Sequence, residues 1–416
     1  MNAFDYRNGQ MYADDVPVTD LARRFGTPLF IYSRSHIRQQ YRGLVEAMAP
    51  VKPLVCYSVK ANSNLAVIQT LASEGAGFDI VSGGELFRVI KAGAPASKIV
   101  YAGVGKTTSE IDFALQSDIL FFTVESEPEA IRIGECARRL GRKGRIAFRV
   151  NPDVDPHTHK FISTGKKENK FGLDIERAMH AYAMAANIPG LEIVGLHLHI
   201  GSQILHAPPF TEALRKVSGL CHDLRARFPS FRHIDIGGGL GIDYKPDQQA
   251  LAPSHYAAAV LPVLLELGLE VILEPGRFIV GNSGILVCRV EYVKDSHFKK
   301  FVVVDAGMND LIRPVLYDAY HQIQPVRQTN RPGTGDLVGP ICESGDFFAQ
   351  DRELPEALEG DFLAVMSAGA YGFTMSSTYN SRRRAAEIMV DGARFALVRE
   401  RETWDDLIRG EKPFPA

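Results

Sequence analysis

Between about residues 26 and 280, short β-rich runs alternate with helix-like segments, and this alternation constrains the fold more than any other feature of the chain. Eight such runs occur, at residues 54–59, 77–81, 99–101, 120–124, 145–150, 193–200, 233–236 and 271–274. Strands separated by helices form parallel sheets, and eight of them favour a closed barrel. We therefore predict an α/β protein with a (β/α)8 TIM-type barrel over residues 26–280. An open, doubly wound sheet is the structural alternative.

The pattern changes after residue 280. Strand-like runs at 284–293, 301–304, 361–367 and 387–390 are separated by turns rich in glycine and proline. This predicts a second, mainly β-sheet domain over residues 281–416, resembling a β-barrel or a sandwich. Residues 1–25, with a strand-like run at 12–16, are expected to pack on that domain.

Composition excludes several classes of protein. The formal net charge of −2 offers no basic field for nucleic acid, and the sequence has neither a membrane-length apolar run nor a secretion signal at its start. The five cysteines are scattered, without a CxxC pair, which disfavours a disulfide framework and a zinc site. We expect a cytoplasmic protein that binds neither nucleic acid nor membrane.

Polar residues follow several of the predicted strands, namely Lys60, Asp79, Arg149, His199 and Glu274. In a barrel these strand ends share one face, where residues distant in sequence meet. Lys60 ends the apolar run 55–59. A buried ammonium loses hydration, so its pKa falls and it becomes the neutral amine that forms Schiff bases. Taken alone, Lys60 is more readily explained as a strand-end lysine that reaches solvent.

A glycine-rich run follows the predicted strand at 233–236. Gly237, Gly238 and Gly239 let the backbone approach an anion closely, which indicates a phosphate site. The run lacks the P-loop lysine and the spacing of a dinucleotide fingerprint, so a nucleotide is not the favoured ligand. A simple tight turn is the alternative.

His197 and His199 lie on the same face of the strand that they end. Two such histidines could bind a metal, but no acidic partner lies nearby in the sequence, and we predict no metal. The competing use is an aromatic face stacked on a flat cofactor ring, with Ser202 hydrogen-bonded to a phosphate.

Glu274 begins the turn Glu274-Pro275-Gly276-Arg277 at the end of an apolar run. A buried carboxylate is costly unless it meets a cation, and a protonated pyridine nitrogen would supply one. An internal ion pair with Arg277 is the alternative. The turn forced by Pro275 and Gly276 separates the two charged side chains.

The second domain contributes Cys342 and Tyr371. Cys342 lies in a polar loop with acidic neighbours that raise its thiol pKa, so it is better suited to donate a proton than to act as a nucleophile. Tyr371 could place its phenol against a phosphate, or it could be structural.

Together these segments resemble fold-type III pyridoxal-phosphate enzymes and, within them, the diaminopimelate decarboxylase family. The resemblance runs from residues 4–6 to residues 379–380, nearly the whole chain. Narrower motifs are 157–165, 168–172 and 305–314, the last continuing to Tyr317. Two residues depart from the family pattern: Lys166 replaces a frequent apolar residue, and Arg383 replaces a frequent proline.

The resemblance implies a pyridoxal 5′-phosphate cofactor bound to Lys60 as a Schiff base. Ser202, Gly239 and Tyr371 would hold the phosphate, His199 would stack on the ring, and Glu274 would keep the pyridine nitrogen protonated. The complete set of implied cofactor contacts is Lys60, Asp79, Arg149, His199, Ser202, Gly238, Gly239, Glu274, Gly276, Arg277 and Tyr371.

The implied reaction is decarboxylation of meso-2,6-diaminopimelate to L-lysine and carbon dioxide, the last step of lysine biosynthesis. The implied catalytic residues are Lys60, His199, Glu274 and Cys342, of which Cys342 would protonate the α-carbon. The implied substrate-binding residues are Arg277, Arg313, Tyr317, Glu343 and Tyr371. The two arginines suit this role because a guanidinium can bind a carboxylate through two hydrogen bonds. The family also implies an obligate head-to-tail homodimer in which the partner chain supplies the Cys342 loop.

Three alternatives remain at the level of the sequence. Another decarboxylase on the same fold could act on ornithine, arginine, D-amino acids or carboxynorspermidine, although Arg277 and Arg313 favour a substrate with a remote carboxylate. An amino-acid racemase would normally pair the lysine with a tyrosine base, and the Cys342 loop disfavours it. A non-catalytic homologue that binds pyridoxal phosphate should have lost Lys60 or Cys342, and both are present.

Overall fold

The structure is a computed structural model that describes residues 3–155, 171–329 and 332–415. The motif at 157–165, residues 168–170 and Lys166 lie outside the described residues. The chain forms two compact units. The barrel unit comprises Arg38–Ile242 and Gln249–Ile279, and the sheet unit comprises Met1–Ile37, Asp243–Gln248 and Val280–Ala416.

The strands follow one another in this order: β1 Phe4–Arg7, β2 Gln10–Ala13, β3 Val16–Pro17, β4 Leu29–Ser33, β5 Leu54–Ser58, β6 Gly77–Ile80, β7 Ile99–Tyr101, β8 Phe121–Val124, β9 Gly144–Asn151, β10 Leu173–Asp174, β11 Leu191–His197, β12 His233–Asp235, β13 Glu270–Leu273, β14 Gly284–Asp295, β15 Lys300–Val304, β16 Ile323–Pro325, β17 Pro332–Val338, β18 Phe347–Pro355, β19 Phe362–Val365, β20 Ala386–Asp391 and β21 Arg394–Arg399.

The helices are α1 Val18–Phe25, α2 Arg34–Ala47, α3 Leu65–Ser73, α4 Gly83–Lys91, α5 Thr108–Ser117, α6 Glu127–Leu140, α7 Ile175–Ala185, α8 Pro208–Arg227, α9 Pro253–Leu267, α10 Arg277–Val280, α11 Arg313–Tyr317 and α12 Trp404–Leu407. Among the described residues, none of these helices combines the length and the apolar character needed to span a bilayer.

Eight parallel strands close the barrel. They are hydrogen-bonded in the order β5, β6, β7, β8, β9, β11, β12 and β13, and the pairing of Ile272 with Leu54 and of Leu273 with Val55 returns the sheet to β5. The predicted (β/α)8 barrel is confirmed, and the open doubly wound sheet is excluded.

The barrel strands are apolar because both of their faces are covered. Every residue of β6, β7 and β8 is buried, as expected for parallel strands enclosed by helices outside and side chains inside. Six barrel strands contribute one residue each to a common buried cluster, which consists of Cys56, Val100, Phe121, Ala147, Val194 and Ile272. This packed core fixes the strands whose carboxyl ends carry the polar residues.

The sheet unit contains a mixed sheet built around β14, which pairs antiparallel with β4, β15 and β19. This confirms the predicted second, mainly β-sheet domain. A small antiparallel sheet of β1, β2 and β3 belongs to the same unit, where the Met11 N–H donates to Val326 O at 2.8 Å.

The sequence-based boundaries at residues 26 and 280 stay a prediction. Strand β4 lies inside the predicted barrel segment, yet it hydrogen-bonds to β14 and β20 of the sheet unit. Residues 243–248 also belong to the sheet unit, although they directly follow the glycine-rich run in the sequence.

Candidate active site

The carboxyl ends of the barrel strands gather the polar residues that the sequence singled out. Lys60 lies in the 3-10 turn Val59–Ala61 directly after β5, Asp79 lies in β6, and Glu274 directly follows β13. Parallel strands of a barrel present these ends on one face, where enzymes of this fold have their sites.

Lys60 is paired with a buried carboxylate. Its Nζ lies 2.6 Å from Oδ2 of Asp79, whose side chain is fully buried, whereas 38% of the Lys60 side chain is exposed. Burial, with a smaller contribution from Glu274, raises the pKa of Asp79 above its usual range. Lys60 is therefore partly exposed and in direct contact with a carboxyl group.

Ser58 connects this pair to the neighbouring strand end. Its hydroxyl lies 2.8 Å from Oδ2 of Asp79 and 2.9 Å from the backbone oxygen of Glu274. Lys60, Asp79, Ser58 and Glu274 thus form one continuous polar group at the end of β5, β6 and β13.

Glu274 is held by His197. Its Oε2 lies 3.1 Å from His197 Nε2, and its Oε1 has no hydrogen-bond partner within the described residues. Although burial opposes ionisation, the adjacent His197 lowers the pKa of Glu274 to about 2. Glu274 is therefore a buried anion with one oxygen available to a cation.

Asp235 ends the neighbouring strand β12, and its pKa is shifted in the direction opposite to that of Glu274. Its Oδ1 accepts the Gly237 N–H at 2.9 Å. Burial, followed by the negative charge of Glu274, raises its pKa well above the usual range. Two close carboxyl groups cannot both ionise cheaply, and the opposite pKa shifts favour the negative charge on Glu274.

The expectation that His197 lacks an acidic partner is wrong. Ligand atoms of His197, Asp235 and Glu274 all lie within 4.8 Å of one another, because neighbouring strands bring together residues that are 38 to 77 positions apart in the sequence. The absence of a metal stays a prediction.

His199 contacts the glycine-rich run. Its Nδ1 accepts the Gly238 N–H at 3.2 Å, so the proton of the neutral ring is on Nε2. Burial and the nearby Arg149 lower its pKa well below the usual range. His199 therefore offers a neutral, flat aromatic ring.

The glycines of this run are required by close backbone packing. Gly237 and Gly239 adopt φ values of +66° and +109°. A Cβ on Gly238 would lie 2.1 Å from the Glu274 oxygen, and one on Gly239 would lie 2.7 Å from the Gly201 oxygen. The run is thus packed against the turns that carry Ser202 and Glu274, as expected for a built loop rather than an isolated tight turn.

Arg277 and Glu274 contact different groups, as the turn between them predicts. Arg277 Nη2 donates to Ser202 Oγ at 3.1 Å, while Glu274 is bonded to His197. Arg149 donates to Glu125 Oε1 and to the backbone oxygen of His199, both at 3.3 Å. Arg149 thereby ties the His199 turn to the end of β8.

The other expected site residues lie in the sheet unit. Arg313 and Tyr317 are the first and last residues of α11. Cys342 and Glu343 are exposed, and Tyr371 is half-buried with φ +56°. The Cys342 N–H donates to Asn380 Oδ1 at 3.0 Å, and the Tyr379 hydroxyl donates to Glu343 Oε1.

Asp346 anchors the loop that carries Cys342. Its carboxylate accepts the Ile341 N–H and the Met308 N–H, both at 2.6 Å, and so joins the cysteine loop to the motif at 305–314. Arg383, the departure from the family pattern, places its guanidinium over the Trp404 ring at 4.4 Å from the centroid.

Comparisons with known proteins find relatives that match this chain over nearly its full length. The family model described as "Pyridoxal-dependent decarboxylase, pyridoxal binding domain" matches residues 34–281. A diaminopimelate decarboxylase of Pseudomonas aeruginosa is 50% identical over 416 residues, covering 100% of both chains. One from Aquifex aeolicus is 49% identical over 405 residues, covering 97% of this chain and 96% of the relative.

The chain belongs to the diaminopimelate decarboxylase family. The crystal structure of the M. jannaschii diaminopimelate decarboxylase in complex with L-lysine is also similar, with a TM-score of 0.94, 39% identity and coverage of 99% of this chain and 98% of that chain. The cofactor of this family is pyridoxal phosphate.

The barrel residues fit the cofactor of the diaminopimelate decarboxylase family. Glu274 is a buried anion whose Oε1 lacks a partner in the described part of the chain, which suits a protonated pyridine nitrogen. Any side chain on Gly238 or Gly239 would collide with backbone oxygens, and glycine loops of this kind bind phosphate. Lys60 supplies an amine at the same face.

Several polar residues of the site were not identified from the sequence. They are Ser58, Glu125, Asp235, Asp346 and Asn380. Asp235 carried a usable signal, because it ends a strand directly before the glycine-rich run. The others act through partners on different elements, which the sequence does not pair.

Proposed function

We propose that this protein catalyses the pyridoxal phosphate-dependent decarboxylation of meso-2,6-diaminopimelate to L-lysine and carbon dioxide, the last step of lysine biosynthesis. The observation that carries the proposal is the polar group linking Lys60, Asp79 and Glu274 on one barrel face. It occurs in a chain whose full-length relatives are diaminopimelate decarboxylases.

Lys60 would hold the cofactor and Glu274 would keep its pyridine nitrogen protonated. When bound, pyridoxal phosphate supplies an electron sink for the electron pair left behind by carbon dioxide. The buried negative charge of Glu274 supports this role, because it stabilises a neighbouring proton. His199 would lie against the ring, and its neutral state keeps a second positive charge away from it.

The remaining cofactor contacts are assigned by position. Ser202 and the N–H groups of the glycine loop would bind the phosphate. The full proposed set is Lys60, Asp79, Arg149, His199, Ser202, Gly238, Gly239, Glu274, Gly276, Arg277 and Tyr371.

Substrate recognition would use charges complementary to the distal end of diaminopimelate. Arg277 and Arg313 would bind the distal carboxylate, with Tyr317 and Tyr371 beside it, and Glu343 would bind the distal ammonium. The Cys342 thiol would deliver a proton to the α-carbon after carbon dioxide leaves. An amine with no remote carboxylate would offer these two arginines no anion to bind.

We further propose a head-to-tail homodimer in which the Cys342 loop of one chain completes the site of the other. The exposure of Cys342 and Glu343 in the single chain supports this assembly. The free state of all five cysteines supports a reducing, cytoplasmic location.

The test is an assay of purified protein with pyridoxal phosphate and meso-diaminopimelate, following L-lysine and carbon dioxide. Ornithine, arginine and lysine serve as control substrates. We expect lysine from diaminopimelate and little product from the controls. Rapid turnover of a control substrate, without lysine from diaminopimelate, would overturn the specificity.

A further inference from the structure

Glu125 directly follows β8 and is bonded to two other segments of the barrel unit. Its side chain is 3% exposed, and its Oε1 accepts from Arg149 Nη1 at 3.3 Å. Its Oε2 accepts the Gly172 N–H at 2.7 Å. One buried carboxylate therefore joins Arg149, within β9, to Gly172, directly before β10.

Arg149 is also packed against the residues that precede β10. Its guanidinium carbon lies 4.6 Å from the centroid of the Phe171 ring, a distance at which a cation and an aromatic face attract each other. Gly172 has a φ of +70°, and a Cβ at this position would lie 2.8 Å from the Arg149 backbone oxygen. Arg149 donates in addition to the backbone oxygen of His199. These contacts make Arg149 the link between Glu125 and the His199 turn.

The backbone of Glu125 is fixed by a second buried ion pair. The Glu125 N–H donates to Glu129 Oε2 at 2.8 Å, and Glu129 Oε1 lies 2.7 Å from Lys106 Nζ. The Lys106 and Glu129 side chains are 1% and 9% exposed. Lys106 also donates to the backbone oxygens of Gly103 and Thr123, at 2.8 and 2.7 Å, so three acceptors match the three N–H groups of its ammonium. The Glu125 side chain therefore extends from a fixed backbone position.

The hydrogen bonds of Glu125 restrict the position of Arg149. Both carboxylate oxygens of Glu125 accept a hydrogen bond, so its side chain cannot rotate without breaking one. Hydrogen bonds between charged groups are stronger than those between neutral groups. Removing one partner of a buried pair is costly, because the charge of the other partner loses its compensation. Loss of the Glu125 charge should therefore displace Arg149 and take from the His199 backbone oxygen the donor that Arg149 supplies.

We propose that Glu125 is a positioning residue for cofactor binding, which holds Arg149 and, through Arg149, the His199 turn in the arrangement that receives pyridoxal phosphate. This inference rests on the proposed function, which assigns Arg149 and His199 to the cofactor. Glu125 acts through Arg149 and is not counted among the cofactor contacts. Supporting residues of this kind matter because a bound group is held tightly only where the residues that touch it are themselves fixed.

The first test measures cofactor affinity in E125Q, which keeps the size of the side chain but removes its charge and one of its two acceptor oxygens. Titration of the apoprotein with pyridoxal phosphate should give a dissociation constant roughly tenfold above that of wild type, as expected for the loss of a hydrogen bond to a charged group. At saturating cofactor, the Schiff-base absorbance should remain because Lys60 is intact. The circular dichroism of that absorbance band should change because the His199 turn has moved, whereas a loss of stability alone would not change it.

Two further variants distinguish positioning from structural damage. Glu74 is a carboxylate of the same unit whose side chain is 10% exposed and which accepts from Arg42 Nε at 2.6 Å. It lies before the amino end of β6, away from the carboxyl ends of the strands, so E74Q should bind the cofactor within about twofold of wild type. E125D keeps the charge on a shorter side chain, and its dissociation constant should lie between those of wild type and E125Q. If E125Q does not fold, E125D should still bind at least about threefold more weakly than wild type, with the same change in circular dichroism.

A double-mutant cycle shows whether Glu125 acts through Arg149. R149M should weaken cofactor binding, and E125Q should cause no additional loss in that background. Wild-type affinity in E125Q, or losses that add in the double variant, would overturn the inference. Wild-type affinity in R149M would overturn the assignment of Arg149 to the cofactor, and the inference with it. The proposed function is tested separately, because wild-type protein unable to decarboxylate diaminopimelate would refute that function whatever the affinities of these variants.

Discussion

Glu274 and Asp235 are both buried at the ends of neighbouring strands, β13 and β12, and their pKa values shift in opposite directions because their partners differ. His197 stabilises the Glu274 anion, whereas Asp235 receives the Gly237 N–H and faces the charge of Glu274. Two buried carboxyl groups in one site are therefore shifted towards different protonation states by their surroundings.

A matched pair of substitutions tests this difference. E274Q keeps the shape of the side chain but removes the charge that would protonate the pyridine ring, so we expect kcat/KM to fall at least about 100-fold. D235N replaces a group whose raised pKa favours its neutral form, and it should change kcat/KM by less than about tenfold. Steady-state kinetics of the two variant holoenzymes measures both effects. Equal losses of kcat/KM would contradict the opposite pKa shifts of Glu274 and Asp235.

Asp235 also makes stability depend on pH. Burial raises the pKa of Asp235 well above the usual value of 3.8, so the folded protein keeps this proton to a higher pH than the unfolded chain does. Asp235 therefore costs stability at pH 7, and the cost diminishes as the pH falls towards 3.8.

We expect D235N to have a Tm at pH 7 equal to or above that of wild type, since Asn keeps the acceptor for Gly237. The difference in Tm should narrow as the pH is lowered towards about 4.5. Scanning calorimetry of both proteins at a series of pH values measures this difference in Tm. A Tm difference that widens with acidification would show that Asp235 is ionised in the folded protein.

Sequence reasoning identified the residues at the strand ends but not all of their pairings. Lys60, His199 and Glu274 could be found because each ends a β-rich run. The pairing of His197 with Glu274, and of Lys60 with Asp79, depends on which strands are neighbours in the barrel. That information is absent from the local sequence.

At the scale of elements, the glycine loop after β12 has a conformation that few side chains permit. In G239A, the strained φ of +109° and a Cβ contact at 2.7 Å with a backbone oxygen should displace the loop. We expect the barrel to fold and pyridoxal phosphate to bind at least about tenfold more weakly, as measured by cofactor titration.

Gly219 provides the matched control. It lies within α8, and an added Cβ would have no neighbour within 4 Å. G219A should bind the cofactor normally and gain about 0.5–1 kcal/mol in the free energy of unfolding. Equal cofactor binding by G239A and G219A would contradict a phosphate role for the loop.

The eight barrel strands could be predicted because each is a short apolar run bounded by turns or helices. Strand β4 is equally apolar, with all five residues buried, but its partners β14 and β20 begin about 250 and 350 residues later. The hydrophobic pattern of the sequence indicates that a strand such as β4 exists. Which sheet contains it is determined by pairing with strands that are distant in the sequence.

At the scale of the whole molecule, the proposed dimer predicts complementation between two inactive variants. K60A cannot form the Schiff base with pyridoxal phosphate and should lose the absorbance of that Schiff base. C342A should keep this absorbance but decarboxylate diaminopimelate slowly. In a mixed dimer, one site would combine an intact Lys60 from one chain with an intact Cys342 from the other.

Equimolar mixing with subunit exchange should therefore restore about one quarter of the wild-type sites, since half of the dimers are mixed and each has one complete site. The measurement is diaminopimelate turnover before and after exchange, with each variant alone as the control. No recovery despite exchange demonstrated by mass spectrometry would place both residues of each site in one chain.

The cysteines of this protein differ in their accessibility to thiol reagents, so the number that react depends on whether the chain is folded. Cys342 is exposed, whereas the other thiols are buried, with pKa values raised by burial; they are Cys56, Cys136, Cys221 and Cys288. A maleimide dye should label a single position of the native chain and all five after denaturation. Labelling stoichiometry thus reports the folded fraction of a preparation, and, under the proposed role of Cys342, ligand binding should protect this position from the dye.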